Sequence, residues 1–339
     1  MSEDTQNTNT PLHVLAVGDI ITDAFIKLSK DYAEVYTDDK GYKRISFELG
    51  AKLPYDSADI VKAVECSPNA AVSMTRLGLD TSLMSWLGDD GPGNDMVKYL
   101  KEQGVETDEL VVEKGKKSNY HYVLRYGADR TKLQHFEDYS YEWNDPNHKP
   151  DWFYLGVLGE KTWPLHEAML GYLDRNPDIN LAFQPGMYHL MWGAEKLKDF
   201  YKRAEIVIMN REEAVTVGGG NHDDVHDLID HLHALGPKIV VVTDGPDGAY
   251  ASDGQNSFKM PLYPDPVPPL ERTGAGDAFA STLIVALAKG LGLEDALRWA
   301  PINSMSVCQK IGAQAGLLHK HELEEWLKKA PDWYKPERF

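Results

Sequence analysis

Short apolar runs alternate with amphipathic stretches along most of the chain. The runs share β-branched residues and nearby turn signals, and they lie at Leu12–Val17, Thr81–Trp86, Trp152–Leu155, Ile179–Phe183, Ile206–Met209 and Ile239–Thr243. Their length and composition favour strands. Helical stretches lie between and after them, at Pro68–Leu77, Asn94–Gln103, Leu165–Tyr172, Ala194–Tyr201, Asp223–Leu235, Ala275–Ala288, Leu293–Ile311 and His321–Lys329. This alternation indicates an α/β fold with a parallel sheet and helices on both faces.

Two segments have a different pattern, in which aromatic and β-branched residues alternate with charged ones. The first covers about 24–62 around the turn Asp39-Lys40-Gly41. The second covers about 111–138 around the turn Gly127-Ala128-Asp129. Such alternation is typical of hairpins with one face in water, so we expect a small β-sheet beside the main sheet.

Composition and charge exclude several classes of protein. The chain has 339 residues, 42% of them hydrophobic, and its 35 basic and 53 acidic residues give a formal charge of −18. An acidic surface argues against nucleic acid or an anionic membrane as the main partner. No apolar run approaches the roughly 20 residues that span a bilayer. An anionic ligand would therefore need local positive potential from helix N-termini, backbone N–H groups or Mg²⁺.

The cysteines and the N-terminus indicate the setting. Cys66 and Cys308 are too few for a disulfide framework or a structural zinc site, which favours a reduced, cytoplasmic environment. The first ten residues are polar and lack the basic start and apolar core of a signal peptide. We expect residues 1–10 to form a disordered tail and residues 11–339 to form one domain.

The strongest chemical signal is the turn Thr273-Gly274-Ala275-Gly276-Asp277, which leads into an apolar helix. A helix start exposes backbone N–H groups and positive dipole, and glycines let that backbone approach a ligand, so the turn predicts a phosphate or oxyanion cradle. Asp277 would repel a phosphate in a turn that only bound anions. Its presence favours a turn that also takes a proton from a hydroxyl. In the alternative interpretation, Thr273 and Asp277 only cap the helix.

Polar and glycine residues also follow three of the predicted strands. Gly18, Asp19 and Asp23 follow the first strand, residues 210–213 follow the Ile206 strand, and residues 243–248 follow the Ile239 strand. Ligands of parallel sheets bind at the carboxyl ends of the strands. These segments and the glycine turn therefore predict one site suited to a polyanion and a polyol.

Taken together, the motifs resemble the ribokinase-like sugar kinases of the phosphofructokinase B (PfkB) family, over about 14–317. The segment from Glu271 to Phe279 is similar to the family's Asp-Thr-Thr-Gly-Ala-Gly-Asp-Ala-Phe. Asn210-x-x-Glu213 is similar to its Asn-x-x-Glu element, and Thr243-x-Gly245-x-x-Gly248 to its nucleotide-side turn. Gly18 with Asp23 corresponds to the sugar-binding loop, and Asn69 to the sugar-contacting Asn of the first helix.

The resemblance implies a three-layer α/β/α sandwich with a mostly parallel sheet and a lid made by the two segments, which often pairs to form a homodimer. It implies ATP-dependent phosphoryl transfer to a sugar hydroxyl, with Asp277 as general base. The N–H groups of Gly274, Ala275 and Gly276 would stabilise the phosphoryl charge. Asn210 and Glu213 would order Mg²⁺, through water. The remaining implied residues are, on the nucleotide side, Thr243, Gly245, Gly248, Thr273 and Asn303, and, on the substrate side, Gly18, Asp19, Asp23, Asn69, Tyr120 and Tyr122.

Departures from the family pattern lie mainly at the acceptor end. Val64-Glu65 stands where the family has Gly-Gly, and Gln184-Pro185-Gly186 replaces a strand-end Asp-Pro-Asn. Glu271 replaces an Asp of the family pattern. The sequence therefore does not decide whether this chain has the family's monovalent-cation (K⁺) site.

The acceptor consequently has several candidates. It is a free sugar or sugar acid in the leading hypothesis. Alternatives are a nucleoside stacked on Tyr120, Tyr122 and Phe136, or a sugar phosphate held by Arg125, Arg130 or Lys132. A non-catalytic sugar sensor is a further alternative, which the intact Asp277 disfavours.

Overall fold

The computed structural model describes residues 12–127, 129–219 and 224–339, so the predicted disordered tail over residues 1–10 lies outside the described residues. In chain order, the strands of the described residues are β1 (His13–Val17), β2 (Ile21–Leu28), β3 (Glu34–Thr37), β4 (Lys43–Ser46), β5 (Tyr55–Val64), β6 (Asp80–Gly88), β7 (Leu110–Glu113), β8 (Tyr120–Tyr126), β9 (Asp129–Leu133), β10 (Trp152–Leu155), β11 (Asn180–Phe183), β12 (Ala204–Asn210), β13 (Ile239–Thr243), β14 (Ala249–Ser252), β15 (Ser257–Met260) and β16 (Glu337–Arg338).

The helices of the same residues are α1 (Cys66–Arg76), α2 (Gly91–Glu102), α3 (Trp163–Arg175), α4 (Met187–Trp192), α5 (Lys198–Arg203), α6 (Arg211–Gly218), α7 (Val225–Ala234), α8 (Ala275–Ala288), α9 (Leu293–Leu297), α10 (Ala300–Val307) and α11 (Lys320–Lys328). None of these helices combines the length and apolar character needed to cross a membrane.

The central sheet is mostly parallel, as expected. Its strand order is β16-β15-β14-β13-β12-β11-β10-β1-β6-β7. The neighbouring strands in the stretch β13-β12-β11-β10-β1-β6-β7 are all parallel. Strands β14, β15 and β16 add antiparallel pairs at one edge. The carboxyl ends of the parallel strands therefore lie along one edge of the molecule.

Each face of the sheet has its own apolar core. Val14 and Ala16 of β1 belong to the core under α1, α8 and α10, whereas Leu15 and Val17 belong to the core under α3 and α5. All four side chains are fully buried. Successive residues of a strand point to opposite faces, so this division gives the predicted three layers. Burial of each of the larger side chains, Val14, Leu15 and Val17, contributes about 1.5–3 kcal/mol.

The lid is a separate sheet with the order β5-β2-β8-β9, and β3 and β4 form a two-stranded hairpin beside it. Its strands are antiparallel except for the parallel pair of β2 and β8. The predicted second lid segment began too early. Residues 110–113 form β7, which pairs with β6 in the central sheet, so the lid part of this segment begins at Tyr120.

Several helical segments differ from the predictions. The predicted helix 293–311 is divided into α9 and α10, because Pro301 lacks the N–H that a continuous helix needs and fits a new first turn. The helix predicted over 194–201 begins at Lys198. The sequence analysis did not predict α4, and it also missed α6. Its signal was present, since Asn210 and Glu213 form a reciprocal capping box at its start.

Candidate active site

The glycine turn before α8 has a backbone that only glycine fits. Gly274 has a φ of +79°, and a Cβ built on it would lie 2.5 Å from the Cβ and 2.7 Å from the Cα of Ala313. α8 begins at Ala275 without a side-chain cap. The Ala275 N–H donates to the Arg272 carbonyl at 3.3 Å. Without a cap, the first turn of α8 presents its backbone dipoles to the space in front of the helix.

Asp277, in the first turn of α8, is held by two side-chain amides. Its Oδ2 accepts a hydrogen bond from Asn69 Nδ2 at 2.8 Å. Its Oδ1 accepts one from Gln184 Nε2 at 3.0 Å. Asn69 lies in α1 and Gln184 follows β11, so three elements converge on this carboxylate.

Two cavities lie on either side of the turn formed by residues 272–277. The first has a volume of about 320 Å³, and Ala275 and Gly276 form part of its wall; it is named the nucleotide cleft after the residues expected on that side. The second has a volume of about 210 Å³, and its wall includes Thr273, Gly274 and Asp277; it is named the acceptor pocket after the residues expected on the substrate side. Arg272 lines both cavities. The turn is thus the common wall of the two spaces.

Most residues expected on the nucleotide side line the nucleotide cleft, namely Asn210, Thr243, Gly245 and Gly248. Asn303 does not. Its side chain is fully buried, donates to the hydroxyls of Ser73 and Thr282 at 3.2 and 2.9 Å, and accepts from the Leu318 N–H at 2.9 Å. Asn303 therefore ties α10 to α1 and α8, and the neighbouring Ser304 lines the cleft instead.

Asn210 and Glu213 cap α6 with each other. Asn210 Oδ1 accepts from the Glu213 N–H at 2.9 Å, and Glu213 Oε2 accepts from the Asn210 N–H at 2.9 Å. Burial raises the pKa of Glu213, and the nearby charge of Asp277 raises it further. A cation between these two carboxylates would relieve their repulsion.

The described residues therefore offer a Mg²⁺ ion oxygen atoms of the type it prefers, although they contain no group of three or more His, Cys, Asp or Glu side chains that could hold a metal ion. This donor set fits an ion that keeps much of its water shell.

The acceptor pocket brings together residues that are distant in sequence. Asp23 and Asn69 line it, as expected, together with Glu65, Arg130 and Lys132. Lys132 Nζ lies 3.2 Å from Asp23 Oδ1 and 3.9 Å from Glu65 Oε2. Burial raises the pKa values of Asp23 and Glu65, while Lys132 lowers both. The lid thus supplies a cation that neutralises two acids of the pocket.

Gly18 and Asp19 lie behind the acceptor pocket and do not line it. A Cβ on Gly18 would lie 2.3 Å from Ser67 Oγ and 2.9 Å from the Val157 carbonyl oxygen, so this glycine allows β1 to pack against α1. Asp19 is fully buried and accepts from the Tyr141 hydroxyl at 2.9 Å. Burial raises its pKa to about 7. Both residues therefore lie outside the lining of the acceptor pocket, where they were expected.

Tyr120 and Tyr122 are on the wrong face of the lid for the role expected of them. Asp23 is paired in register with His121, and their side chains face each other at 3.8 Å. Because neighbouring residues in a strand point to opposite sides, Tyr120 and Tyr122 point away from the pocket. This placement removes the support for a base stacked on these two rings.

The sequence analysis missed several contacts of the site. It named Glu65 and Gln184 as departures from a pattern, and it assigned no contact to them or to Arg272. Among the basic lid residues, Arg130 and Lys132 line the acceptor pocket, whereas Arg125 is not among its lining residues. Arg130 also donates to the Thr273 hydroxyl and so links the lid to the glycine turn.

Comparison with known proteins agrees with this geometry. Residues 66–320 match the family described as pfkB family carbohydrate kinase. The ribokinase of Bacillus subtilis is 30% identical over 271 residues, covering 76% of this chain and 85% of that protein. The 5-dehydro-2-deoxygluconokinase of Bacillus velezensis is 27% identical over 272 residues, covering 74% and 80%.

Solved structures share the fold. The Methanocaldococcus jannaschii nucleoside kinase aligns with a TM-score of 0.76 at 17% identity, covering 94% of this chain and 98% of that chain. The Arabidopsis thaliana ribokinase complexed with ribose and ATP aligns with a TM-score of 0.75 at 16% identity, covering 94% and 99%. The predicted α/β sandwich with a small lid sheet is confirmed. The family match over most of the chain shows that it belongs to the pfkB family of carbohydrate kinases.

Proposed function

We propose that this kinase transfers the γ-phosphoryl group of ATP to a hydroxyl of a sugar or sugar derivative, with Asp277 as general base. The observation that carries the proposal is the single turn between the two cavities. Gly276 lines the nucleotide cleft and Asp277, the next residue, lines the acceptor pocket. A donor and an acceptor bound on either side would meet at this turn.

Each part of the turn has a role in this mechanism. Asp277 takes the proton of the attacking hydroxyl, and the backbone of Gly274, Ala275 and Gly276 stabilises the charge on the transferring phosphoryl group. Asn210 and Glu213 would hold Mg²⁺ through water. When bound, the ion supplies positive charge to the phosphates. Asp23 orients the acceptor by accepting hydrogen bonds from the hydroxyl groups of the acceptor.

ADP release with Mg-ATP, measured on a panel of ribose, fructose, 2-keto-3-deoxygluconate and nucleosides, tests this proposal. We expect turnover on at least one sugar or sugar acid and a loss of kcat of roughly 10²- to 10⁴-fold in Asp277→Asn, because the base is lost. Folded wild-type protein without turnover on any acceptor would contradict the proposal. An Asp277→Asn variant with the wild-type rate would contradict the assignment of the base.

A second candidate acceptor carries an anionic group. Arg130 and Arg272 both line the acceptor pocket, and a guanidinium suits a carboxylate or phosphate. Sugar acids and sugar phosphates therefore belong on the same panel. A preference for them that Arg130→Gln removes would favour this candidate over a neutral sugar.

We also propose a homodimer that forms through the outer face of the lid. Ile60, Tyr122 and Leu133 lie in one row across the lid strands, since Ala24 pairs with both Ile60 and Tyr122, and Tyr122 pairs with Leu133. Their exposed fractions are 59%, 47% and 52%. An exposed apolar row of this kind fits a protein interface. Light scattering after size exclusion should give a dimer for the wild type and a monomer for Tyr122→Glu with Leu133→Glu; a monomeric wild type would contradict it.

A further inference from the structure

Asp277 is held by the side-chain amides of Asn69 and Gln184, and each of these amides is itself held in one orientation. The Tyr154 hydroxyl donates to Gln184 Oε1 at 2.7 Å. Gln314 Nε2 donates to Asn69 Oδ1 at 2.9 Å and to the Ala63 carbonyl oxygen at 2.7 Å. A side-chain amide can present either its oxygen or its nitrogen to a neighbour. A donor on its oxygen leaves the nitrogen to face Asp277.

The Gln184 amide lies between the Tyr154 hydroxyl and the Asp277 carboxylate. Tyr154 is fully buried in β10, and burial raises the pKa of its phenol far above the ordinary value, so its O–H stays neutral. A neutral phenol can donate or accept, but an ionised carboxylate can only accept, so Nε2 faces Asp277 Oδ1 and Oε1 accepts the Tyr154 O–H. The opposite orientation of the amide would place two oxygens against each other at 3.0 Å.

We propose that Gln184 is a positioning residue for the general base and that Tyr154 acts through it by anchoring the oxygen of its amide. The inference rests on the proposed role of Asp277. Two N–H donors, one on each oxygen, stabilise the negative charge and fix the plane of the carboxylate. The remaining lone pairs of the oxygens are then available to the hydroxyl of a bound acceptor.

Three variants test this arrangement. Gln184→Glu keeps the shape but replaces the N–H donor with a carboxylate, Gln184→Met removes all hydrogen bonding, and Tyr154→Phe removes the hydroxyl that anchors the amide oxygen. Tyr201→Phe is the matched control, because Tyr201 is equally buried and its hydroxyl has no hydrogen-bond partner among the described residues. For each protein, kcat and KM are measured across pH with the best acceptor of the panel, alongside the melting temperature.

We expect Gln184→Glu to lower kcat by roughly 10²-fold, because the base is misplaced and repelled. The acid limb of its kcat/KM profile should move to higher pH, since a second carboxylate opposes ionisation of the first. Tyr154→Phe should lower kcat by about tenfold. The KM for ATP should stay constant, and Tyr201→Phe should match the wild type. A role in packing alone would lower the melting temperature without moving the acid limb.

The outcomes separate the two proposals. If Asp277→Asn abolishes transfer while the Gln184 and Tyr154 variants keep the wild-type kcat and pH profile, the positioning role is wrong and the proposed function stands. If Asp277→Asn transfers at the wild-type rate, the base assignment is wrong. A high-resolution crystal structure with Gln184 Nε2 turned away from Asp277 would overturn the positioning role without any turnover measurement.

Discussion

The transfer end and the acceptor end of the site are built in different ways. At the transfer end, the positive φ before α8 belongs to a glycine, Gly274. At the acceptor end, positive φ values belong to Ala63 (55°) and Glu65 (119°), where side chains make them costly. Backbone strain of this kind persists only where the surrounding structure holds it. The difference indicates that the acceptor end has been adapted at the expense of stability, whereas the transfer end has not.

Acids whose pKa is raised by burial lie on both sides of the turn, since Glu213 is one on the nucleotide side, but more of them lie at the acceptor end. Asp19, Asp23 and Glu65 all lie in or behind the acceptor pocket, and burial raises the pKa of each. A carboxyl group whose pKa is higher in the folded than in the unfolded protein lowers the free energy of unfolding at neutral pH. Changes at the acceptor end should therefore alter stability as well as substrate binding, while changes at the transfer end should alter mainly the chemical step.

Among changes that compare the two ends without touching the proposed base, the largest effect is expected from Gly274→Ala at the transfer end. The added Cβ would meet the backbone of Ala313 and force the turn to move. We expect kcat to fall by roughly 10²- to 10³-fold, as when one oxyanion donor is lost. Gly91→Ala, at the start of α2 where a Cβ meets nothing within 4 Å, is the control. A wild-type kcat in Gly274→Ala would show that the cradle is not required.

Asp19→Asn should change the pH dependence of stability. The pKa of Asp19 is about 7 in the folded protein against 3.8 ordinarily, so the folded state binds the extra proton and the free energy of unfolding falls as pH rises from about 4 to 7. Relative to Asp19→Asn, the wild type should lose about 1.4 kcal/mol per pH unit between pH 5 and 7.

Urea unfolding at pH 5, 6, 7 and 8 measures this effect. The readout is the slope of the free energy of unfolding against pH, not the absolute free energy at any one pH. Asp39→Asn, on the exposed lid hairpin, should keep the wild-type slope. Parallel pH profiles for the wild type and Asp19→Asn would show that Asp19 carries no such cost.

Lys132→Met should weaken the acceptor end alone. Without the ammonium group, Asp23 and Glu65 repel each other and the lid loses its contact with the pocket. We expect the KM for the acceptor to rise by about tenfold or more and the KM for ATP to stay constant. Lys27→Met is the matched control, since its partner Asp56 is exposed and such surface pairs contribute little. Equal changes in both KM values would contradict the division between the two ends.

Glu65→Gly should have the smallest effect, with opposite signs for stability and binding. Glycine relieves the positive φ and removes a buried acid, so the free energy of unfolding should rise by about 1 kcal/mol. The KM for the acceptor should increase because a polar contact is lost. Ala63→Gly changes the backbone of the same connection between the lid strand β5 and helix α1 without removing a charge, and it should keep the wild-type KM for the acceptor. A fall in stability in Glu65→Gly would show that its φ is not a cost.

Much of the fold could be predicted from the sequence because its signals are local. The strands Trp152–Leu155 and Ile239–Thr243 and the helix Ala275–Ala288 have the predicted bounds. α6 was missed because Asn210-x-x-Glu213 was interpreted only as a ligand motif, although the same four residues also start a helix. A local sequence pattern predicts whether a segment is a helix or a strand more readily than it predicts what the segment packs against.

The site could be predicted only in part because its contacts are not local. The strand alternation of Tyr120 and Tyr122 is visible in the sequence, but nothing in it says which face turns to the pocket. The contact of Lys132 with Glu65 joins segments far apart in the chain. Gly18 was expected at the ligand, yet its missing side chain makes room for Ser67. These differences depend on how the lid and the helices come together.

The joint between lid and core also determines where the length of this chain can change. Strand β5 ends at Val64 and α1 begins at Cys66, so one residue separates the lid from the helix that carries Asn69. Between β2 and β5 the chain runs through an exposed hairpin from Leu28 to Tyr55, which can gain or lose residues without disturbing any core element. An insertion at Glu65 would instead shift Asn69 away from Asp277. Variation in length among engineered forms of this enzyme should therefore be tolerated in the hairpin and rejected at the joint.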